Sequence, residues 1–235
     1  MGRGFAGDAR AWDAIDSAQP KGVIPMDFIA IDFETANSNR SSICAIGLAI
    51  VQGGQVVGSQ HMYVRPQPSF FDPFNVSIHG ITEAMVKDAP RFSELWPSVR
   101  SGIGAPLVAH NASFDMSALR YVLDASHIPY PQLDYFCTRV IARVAWPDRP
   151  TYKLNHIAEM LDIRFRHHNA EQDAIACARI AIAACRHLGA ESLYALDERS
   201  LLRKGRLFPG GYCPCGAKSN RKTMSPPSRA AGATG

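Results

Sequence analysis

The chain has 235 residues, enough for one sizeable domain with flanking segments, and its 46% hydrophobic content is that of an ordinary globular protein. No uninterrupted apolar stretch approaches the length of a membrane span, which argues against an integral membrane protein. The formal charge of +4 is mildly basic, so it permits a polyanionic partner without requiring one.

Cysteine usage and the N-terminal segment indicate a cytoplasmic protein. Four of the six cysteines lie in apolar stretches, where free buried thiols in a reducing compartment explain them better than a disulfide framework does. Residues 1–25 are rich in Gly, Ala, Asp and Arg and lack the basic-then-apolar layout of a signal peptide. We interpret them as a disordered extension and expect the folded domain to begin at Met26.

The first strong signal is the apolar run from Phe28 to Thr35, which is typical of a buried strand. The end of this run carries two acids, Asp32 and Glu34, and the period of two places both on one face. Two neighbouring carboxylates repel each other unless a cation lies between them, and hard divalent cations prefer carboxylate oxygens. Taken alone, such a pair more often marks a strand that enters a loop.

The remaining elements follow in chain order. We predict a hairpin of strands at 43–51 and 56–64, a loop at 66–73, and a short helix from Glu83 with Thr82 as its N-cap. A helix at 92–103, a strand at 106–109 and a helix capped by Ser113 are predicted next. The last predicted elements are a strand at 133–137, helices at 138–145 and 154–161, and a long helix that ends near Leu188. Three strands followed by alternating strands and helices indicate an α/β domain with a mixed sheet.

The C-terminal segment, residues 191–235, carries weaker signals than the domain at 26–190. Residues 191–202 predict one short helix, and residues 203–235 are rich in Gly, Pro, Ser, Lys and Arg, which indicates a flexible basic tail. The pair Cys213 and Cys215 is typical of half a zinc site. Because a structural zinc needs four ligands and no second pair follows, we favour a solvated tail.

Two further acids stand at helix starts and join the pair at the strand end. Asp115 closes the motif at 110–115, directly after a buried strand, and Asp173 lies five residues after His168. Carboxylates near helix N-termini are common because the helix dipole favours them, so each acid alone is more often structural. The order and spacing of all four are what indicate a shared site.

These motifs resemble the DEDD superfamily of 3′–5′ exonucleases, in the DnaQ-like branch with a histidine in the third motif (DEDDh), which includes the proofreading epsilon subunit of bacterial DNA polymerase III and stand-alone homologues. The stretches that carry the resemblance are Asp32-Phe33-Glu34-Thr35, His110 to Asp115, His168-x-Ala170-x-x-Asp173 and His79-Gly80-Ile81-Thr82. The resemblance covers residues 26–188. It implies an RNase H-like fold, with a five-stranded mixed sheet flanked by helices and with flexible N- and C-terminal tails.

The resemblance also implies an activity: hydrolysis of phosphodiester bonds from the 3′ end of single-stranded DNA, with release of nucleoside 5′-monophosphates. Two divalent cations, Mg²⁺ or Mn²⁺, would be held by Asp32, Glu34, Asp115 and Asp173. His168 would take a proton from the attacking water as general base. The residues implied to shape the pocket for the terminal nucleotide are Phe33, Thr35, His79, Asn111 and Phe114.

Neighbouring candidates receive other interpretations. His167 lacks the five-residue spacing of His168, so we predict that it lies at the surface outside the pocket. His110 is predicted to orient the turn between strand and helix. Lys153 and Arg143 are either phosphate contacts or solvated charges. One departure from the family pattern is Ala36-Asn37, where many relatives carry Thr-Gly, and it should alter the loop after the first motif.

Three rival functions use the same residues differently. An exoribonuclease acting on RNA ends or short oligoribonucleotides would share the chemistry and differ in its contact to the 2′-hydroxyl. A catalytically silent nucleic-acid-binding module is disfavoured, because binding alone needs no ring of acids facing a phosphate. A subunit that meets a DNA polymerase or repair partner through the basic tail is compatible with the sequence, as is weak attachment of that tail to DNA.

Overall fold

The computed structural model describes residues 26–199 and 201–217. Nine strands occur in this part of the chain. They are β1 (Phe28–Thr35), β2 (Ile43–Gln52), β3 (Gln55–Tyr63), β4 (Leu107–Ala109), β5 (Leu133–Cys137), β6 (Leu202–Arg203), β7 (Gly205–Phe208), β8 (Gly211–Cys213) and β9 (Gly216–Ala217). The extension at residues 1–25 and the tail at residues 218–235 lie outside the described residues.

Eight helices occur in the same described segments. They are α1 (Pro73–His79), α2 (Glu83–Val86), α3 (Phe92–Gly102), α4 (Ser113–Ala125), α5 (Thr138–Ala145), α6 (Leu154–Met160), α7 (Ala170–His187) and α8 (Leu193–Glu198). None of these helices combines the length and the apolar character that crossing a membrane requires.

One mixed sheet organises the domain, in the strand order β3-β2-β1-β4-β5-β7-β8. The β2–β3 hairpin and the β1–β2 pair are antiparallel, whereas β4 pairs in parallel with both β1 and β5. The predicted α/β class and mixed sheet are therefore confirmed. The parallel pairing brings the C-terminal ends of β1 and β4 to the same edge, which is where functional side chains gather in such sheets.

The sheet has seven strands rather than the predicted five, because the C-terminal segment contributes β7 and β8. Strand β7 pairs antiparallel with β5, Leu207 opposite Leu133, and β8 pairs with β7. Leu207 is 1% exposed, so burial of apolar surface accompanies the new backbone hydrogen bonds. This pairing also covers the edge that β5 would otherwise expose.

The flexible tail predicted from residue 203 is wrong as far as residue 217. Helix α8 lies within the predicted 191–202 segment, and strands β6 to β9 follow it. Cys213 ends β8, where its carbonyl accepts a hydrogen bond from Tyr135 Oη at 3.1 Å, and Cys215 packs against the core. Within the described residues neither cysteine belongs to a group of metal-ligating side chains.

Helices cover both faces of the sheet and divide the core into two main clusters. Ile29, Ile31 and Phe33 of β1 face α3 and α4, while Phe28 and Ala30 face α5 and α7. This alternation is the period of two expected for a strand buried on both sides. It also fixes the face on which polar side chains at the end of β1 must lie.

Helix α1 was not predicted, since residues 66–73 are crowded with Pro and Phe. Its start nevertheless carries a recognisable signal. Asp72 is the N-cap and its Oδ1 accepts the N–H of Phe74 at 2.8 Å, while Pro73 occupies the first helical position. The helix ends at Gly80, whose φ of 74° is the left-handed conformation that glycine adopts most readily.

Candidate active site

Strand β1 presents two acids on one face of its C-terminal end. Asp32 and Glu34 lie on the face covered by α7, while Phe33 between them is buried in the opposite cluster. One carboxylate oxygen from each of Asp32, Glu34 and Asp173 lies within 4.8 Å of the others. Such a group of converging carboxylates is the type of ligand set that a hard divalent cation binds.

Asp173 reaches this group from the first turn of α7. The helix begins at the N-cap Asn169, whose Oδ1 accepts the N–H of Gln172 at 3.1 Å. Asp173 is 3% exposed, and its Oδ2 accepts the backbone N–H of His168 at 3.0 Å. The loop before the helix therefore holds the carboxylate in place.

Gly47 allows α7 to come this close to the sheet. It lies on β2 directly opposite Asp32, and a Cβ at this position would collide with the backbone of Ala170 and Glu171. The first turn of α7, and with it Asp173, therefore depends on the missing side chain of Gly47.

Replacing Gly47 by alanine is expected to lower both the stability and the activity, because the N-terminus of α7 must move away from β2. An overpacked core costs about 1–3 kcal/mol, which corresponds to a fall in melting temperature of about 2–12 °C for a chain of this size. Gly58→Ala is the matched control, since its Cβ would meet only Ile50 Cδ1 at an ordinary 3.7 Å. Equal thermal melts for the two variants would contradict this role of Gly47.

Asp115 joins the site from the first turn of α4, which follows β4. It is 1% exposed, and its Oδ1 accepts the backbone N–H of Phe33 at 3.2 Å. This hydrogen bond ties the start of α4 to the segment between the two acids of β1. Ser113 is the first residue of the helix rather than its predicted cap, and Ala112 occupies the N-cap position without a side-chain hydrogen bond.

All four acids have pKa values above their usual ranges. Burial raises the pKa of Asp32 well above its usual range, and the nearby charges of Asp115, Asp173 and Glu34 add to the effect. Burial and the charge of Asp173 raise the pKa of Glu34 to about 7. Burial likewise raises the pKa of Asp115 and of Asp173, although hydrogen bonds to each carboxylate act in the opposite direction. Acids under this mutual repulsion fit a site that binds cations.

Without a bound cation, the protein is expected to lose stability as the pH rises from about 4.5 to about 7. In that window folded Glu34 holds a proton that the unfolded chain has released, so a rising pH favours unfolding. Melting temperatures in EDTA at a series of pH values would measure the slope. Glu34→Gln should flatten it, and an unchanged slope in that variant would rule out Glu34 as its source.

Both histidines of the third motif lie at the site. His168 has a left-handed backbone with φ of 62°, and its ring stacks on that of His167 with centroids 3.9 Å apart. His167 Nδ1 and Asp173 Oδ1 are 3.0 Å apart. Burial, and then the neighbouring His167 and His79, lower the pKa of His168, which favours the neutral ring.

The prediction that His167 lies outside the pocket is therefore wrong. Its ring is 38% exposed, but it lines the same cavity as His168 and contacts Asp173 directly. The left-handed backbone at His168 explains the difference, because it turns the chain so that adjacent side chains stack instead of diverging.

All ten predicted site residues lie on the wall of one cavity of about 470 Å³. They are Asp32, Phe33, Glu34, Thr35, His79, Asn111, Phe114, Asp115, His168 and Asp173. The ring of Phe33 is buried in the core, with 3% of the residue exposed, so little of it is open to a ligand. A cavity of this volume is in the range that small-molecule ligands occupy.

Helix α1 forms one wall of the cavity through contacts to the end of β1. The carbonyl of Thr35 accepts hydrogen bonds from Asn75 Nδ2 at 2.8 Å and from His79 Nε2 at 3.2 Å. His79 Nδ1 accepts the N–H of Ile81 at 2.9 Å, so the ring is neutral and its Nε2 carries the proton. His79 thus anchors α1 over the site.

The loop after β1 is bonded to the segment before α1. Asn37 Nδ2 donates to the carbonyl of Phe70 at 2.6 Å, and the adjacent Ala36 is fully buried. The pair that departs from the family pattern, Ala36-Asn37, therefore connects the first motif to the α1 wall.

The ring of His110, which precedes the turn that leads to Asp115, contacts two distant segments of the chain. Its Nδ1 lies 2.9 Å from Thr138 Oγ1 and its Nε2 lies 2.9 Å from the carbonyl of Tyr152. Burial lowers the pKa of His110 to about 4, so the ring is neutral, donates from Nε2 and accepts at Nδ1. The ring thereby connects β4, the start of α5 and the loop before α6.

The cavity contains residues that the sequence did not single out. They are Asn75, Ile78, Arg139, Tyr152, Leu154 and Asn155. Asn75 and Ile78 belong to the unpredicted α1, whose Asp-Pro start was the available signal. Of the two cations predicted to be either phosphate contacts or solvated charges, Lys153 lines the cavity. The guanidinium of Arg143 lies outside it, 5.4 Å from the Tyr152 ring centroid.

Comparison with known proteins gives a consistent set of relatives. The RNase T family model, described as Exonuclease, matches residues 29–181. The DNA polymerase III PolC-type of Caldanaerobacter subterraneus subsp. tengcongensis is 33% identical over 162 residues, which cover 66% of this chain and 11% of that protein. The 3′-5′ exonuclease DinG of Staphylococcus saprophyticus is 28% identical over 161 residues, which cover 67% of this chain and 18% of that protein. The chain thus spans less than a fifth of the length of either relative.

Solved structures share the fold over most of their length. Exonuclease X in complex with 5′ overhanging duplex DNA is 30% identical with a TM-score of 0.58, and the match covers 69% of this chain and 93% of that one. The nuclease domain of 3′hExo, a DEDDh family member, bound to rAMP, is 21% identical with a TM-score of 0.61 and covers 72% and 95% of the two chains. The second likeness bears on the fold alone.

Proposed function

The chain belongs to the DEDDh-type 3′–5′ exonuclease family, and we propose that it hydrolyses phosphodiester bonds from the 3′ end of single-stranded DNA and releases nucleoside 5′-monophosphates. The observation that carries the proposal is the convergence of four acids from β1, α4 and α7 on one cavity. Two of them, Asp115 and Asp173, are buried, and the same cavity contains His168, whose lowered pKa favours the neutral ring. A site that only bound nucleic acid would gain nothing from acids that repel its phosphates.

Divalent cations fit the donor set, because three carboxylate oxygens already converge and neighbouring negative charges raise the pKa values of Asp32 and Glu34. Members of this family work with divalent metal ions. We propose that two ions, Mg²⁺ or Mn²⁺, are held by Asp32, Glu34, Asp115 and Asp173. When bound, the ions would supply positive charge for the attacking and leaving oxygens of the phosphodiester.

The side chains around the acids perform the remaining steps. His168 is neutral and exposed to the cavity, so its ring nitrogen can take the proton of the attacking water. His167 and the backbone N–H of His168 fix the two oxygens of Asp173. Phe114 and Asn111 line the space left for the terminal nucleotide, by stacking and by polar contact respectively.

A DNA substrate is favoured by one comparison. Exonuclease X, which is 30% identical to this chain, was solved with duplex DNA that carries a 5′ overhang. An exoribonuclease would use the same acids and the same histidine, so a comparison of DNA and RNA substrates must distinguish the two activities. The likeness to a PolC-type DNA polymerase supports a further proposal, that this exonuclease acts together with a DNA polymerase.

The test uses 5′-labelled single-stranded DNA and RNA of matched sequence, each incubated with Mg²⁺ or Mn²⁺. We expect a ladder on DNA that shortens one nucleotide at a time from the 3′ end and is slower for a paired 3′ terminus, since fraying costs a few kcal/mol. A 3′-phosphate should inhibit. Faster shortening of RNA would support the exoribonuclease, and cleavage of circular single-stranded DNA would show an endonuclease.

A further inference from the structure

Arg139 is a cation in the cavity that the proposed chemistry leaves without a role. It is the second residue of α5 and lies on the wall of the cavity that holds the four acids. The N-terminal end of a helix carries partial positive charge, which favours carboxylates rather than a guanidinium. Helix α5 itself therefore gives no reason for an arginine at this position.

Only some of the hydrogen-bond donors of the Arg139 guanidinium have an acceptor within the protein. One of its terminal nitrogens donates to Asn111 Oδ1 at 3.2 Å, while its Nε is buried and has no hydrogen-bond partner. The salt bridges between side chains of residues 26–199 and 201–217 involve other cations. A buried donor without an acceptor is costly, and a bound ligand that supplies one removes the cost.

The chemistry of the guanidinium indicates an anionic ligand. Its planar fork of donors matches the oxygens of a phosphodiester and it stays charged at every pH of interest. The same cavity is lined by the acids that, with their cations, would hold the scissile phosphate. Arg139 is thus placed to meet a second phosphate of the same strand.

Strand polarity identifies which phosphate this is. In a substrate cut from its 3′ end, the departing nucleotide ends in a hydroxyl, so every other phosphate lies on the 5′ side of the scissile bond. We propose that Arg139 binds the phosphodiester next to the scissile bond on its 5′ side, an inference that rests on the proposed function. This contact would make the enzyme prefer a chain with at least two phosphodiesters over a dinucleotide with one.

The experiment compares two 5′-labelled (dT)8 strands, one all-phosphodiester and one with a neutral methylphosphonate at that single linkage. For the wild-type protein we expect kcat/KM for release of the first nucleotide to fall about ten- to hundredfold on the modified strand, the value of a charged hydrogen bond. Arg139→Gln should show that loss already on the normal strand and respond little to the methylphosphonate. Arg139→Lys should keep part of the effect.

Arg143→Gln is the matched control, because Arg143 lies on the same helix outside the cavity. It should keep the wild-type response to the methylphosphonate. If Arg139 only positions Asn111, Arg139→Gln will lower the rate on both strands and keep the methylphosphonate response, which would overturn the proposal. A response confined to a methylphosphonate further along the strand would also overturn it.

A binding arm separates this inference from the proposed function. Fluorescence anisotropy of the two strands, with Ca²⁺ in place of Mg²⁺, measures affinity independently of hydrolysis. Equal affinity of wild type and Arg139→Gln for the normal strand would overturn the Arg139 assignment even if the protein is an active exonuclease. Loss of affinity in Arg139→Gln without any hydrolysis by the wild type would retain the phosphate contact and refute the exonuclease instead.

Discussion

Replacement of Asp32 by asparagine is expected to reduce hydrolysis of single-stranded DNA by at least about 10³-fold, because bound cations contribute several kcal/mol to charge stabilisation in the transition state. The pKa of Asp32 is raised by burial and by the charges of all three other acids, Asp115, Asp173 and Glu34. Loss of Asp32 should therefore disturb cation binding as a whole.

Thermal melts distinguish this effect from misfolding. Divalent ions should raise the melting temperature of the wild-type protein, since a ligand that binds only the folded state stabilises it, and most of this shift should disappear in Asp32→Asn. In EDTA, at a pH high enough to ionise the acids of the site, the same variant should melt above the wild type, because it removes one charge from their repelling group. A misfolded variant would instead melt lower.

Asp162→Asn is the control, because Asp162 is 91% exposed and only faces Arg164 at 3.8 Å. It should leave both the rate and the ion-induced shift unchanged. Wild-type activity that persists in excess EDTA would refute the cation-dependent mechanism. Full activity of Asp32→Asn would remove Asp32 from the site.

The local parts of the site could be predicted because they depend on short-range rules. The period of two in a strand places Asp32 and Glu34 on one face, and helix starts after apolar strands place Asp115 and Asp173. The mixed sheet followed from the order of strands and helices. These features need no knowledge of distant contacts, and the structure brings all four acids to one cavity.

The remaining parts depend on contacts between distant segments or on backbone geometry. The missing side chain of Gly47 is important only because α7, which follows it by more than 120 residues in the sequence, packs against it. Strand β7 forms because Leu207 packs opposite Leu133 of β5, although the composition of the C-terminal segment is that of a flexible tail. His167 lies in the site because the backbone at His168 is left-handed, and a left-handed residue cannot be predicted from hydrophobic periodicity.

Alanine substitutions of the two adjacent histidines, His168 and His167, are expected to produce different defects. Loss of a general base typically costs about 10²–10⁴-fold in rate while binding persists. His168→Ala is therefore expected to lose that factor and to keep the ion-induced rise in melting temperature. Loss of a group that orients a metal-ligating carboxylate typically costs about 10–100-fold in affinity or activity, so His167→Ala should weaken ion binding through Asp173.

The pH profile gives an independent check on the base. A base must be unprotonated to act, so activity should rise with pH through the pKa of His168. Burial and the neighbouring His167 lower that pKa, so the rise should lie below the ordinary imidazole value of about 6.5. It should be lost in His168→Ala and kept, with a lower plateau, in His167→Ala, because the neighbouring ring only positions Asp173.

His127→Asn controls for the removal of an imidazole, since His127 is exposed and has a left-handed backbone that asparagine tolerates. It should behave as the wild type. If His167→Ala loses the rising limb and His168→Ala retains it, the two roles are exchanged. The ring bonded to Asp173 would then be the base, and the five-residue spacing that selected His168 would identify only the backbone N–H that holds Asp173 Oδ2.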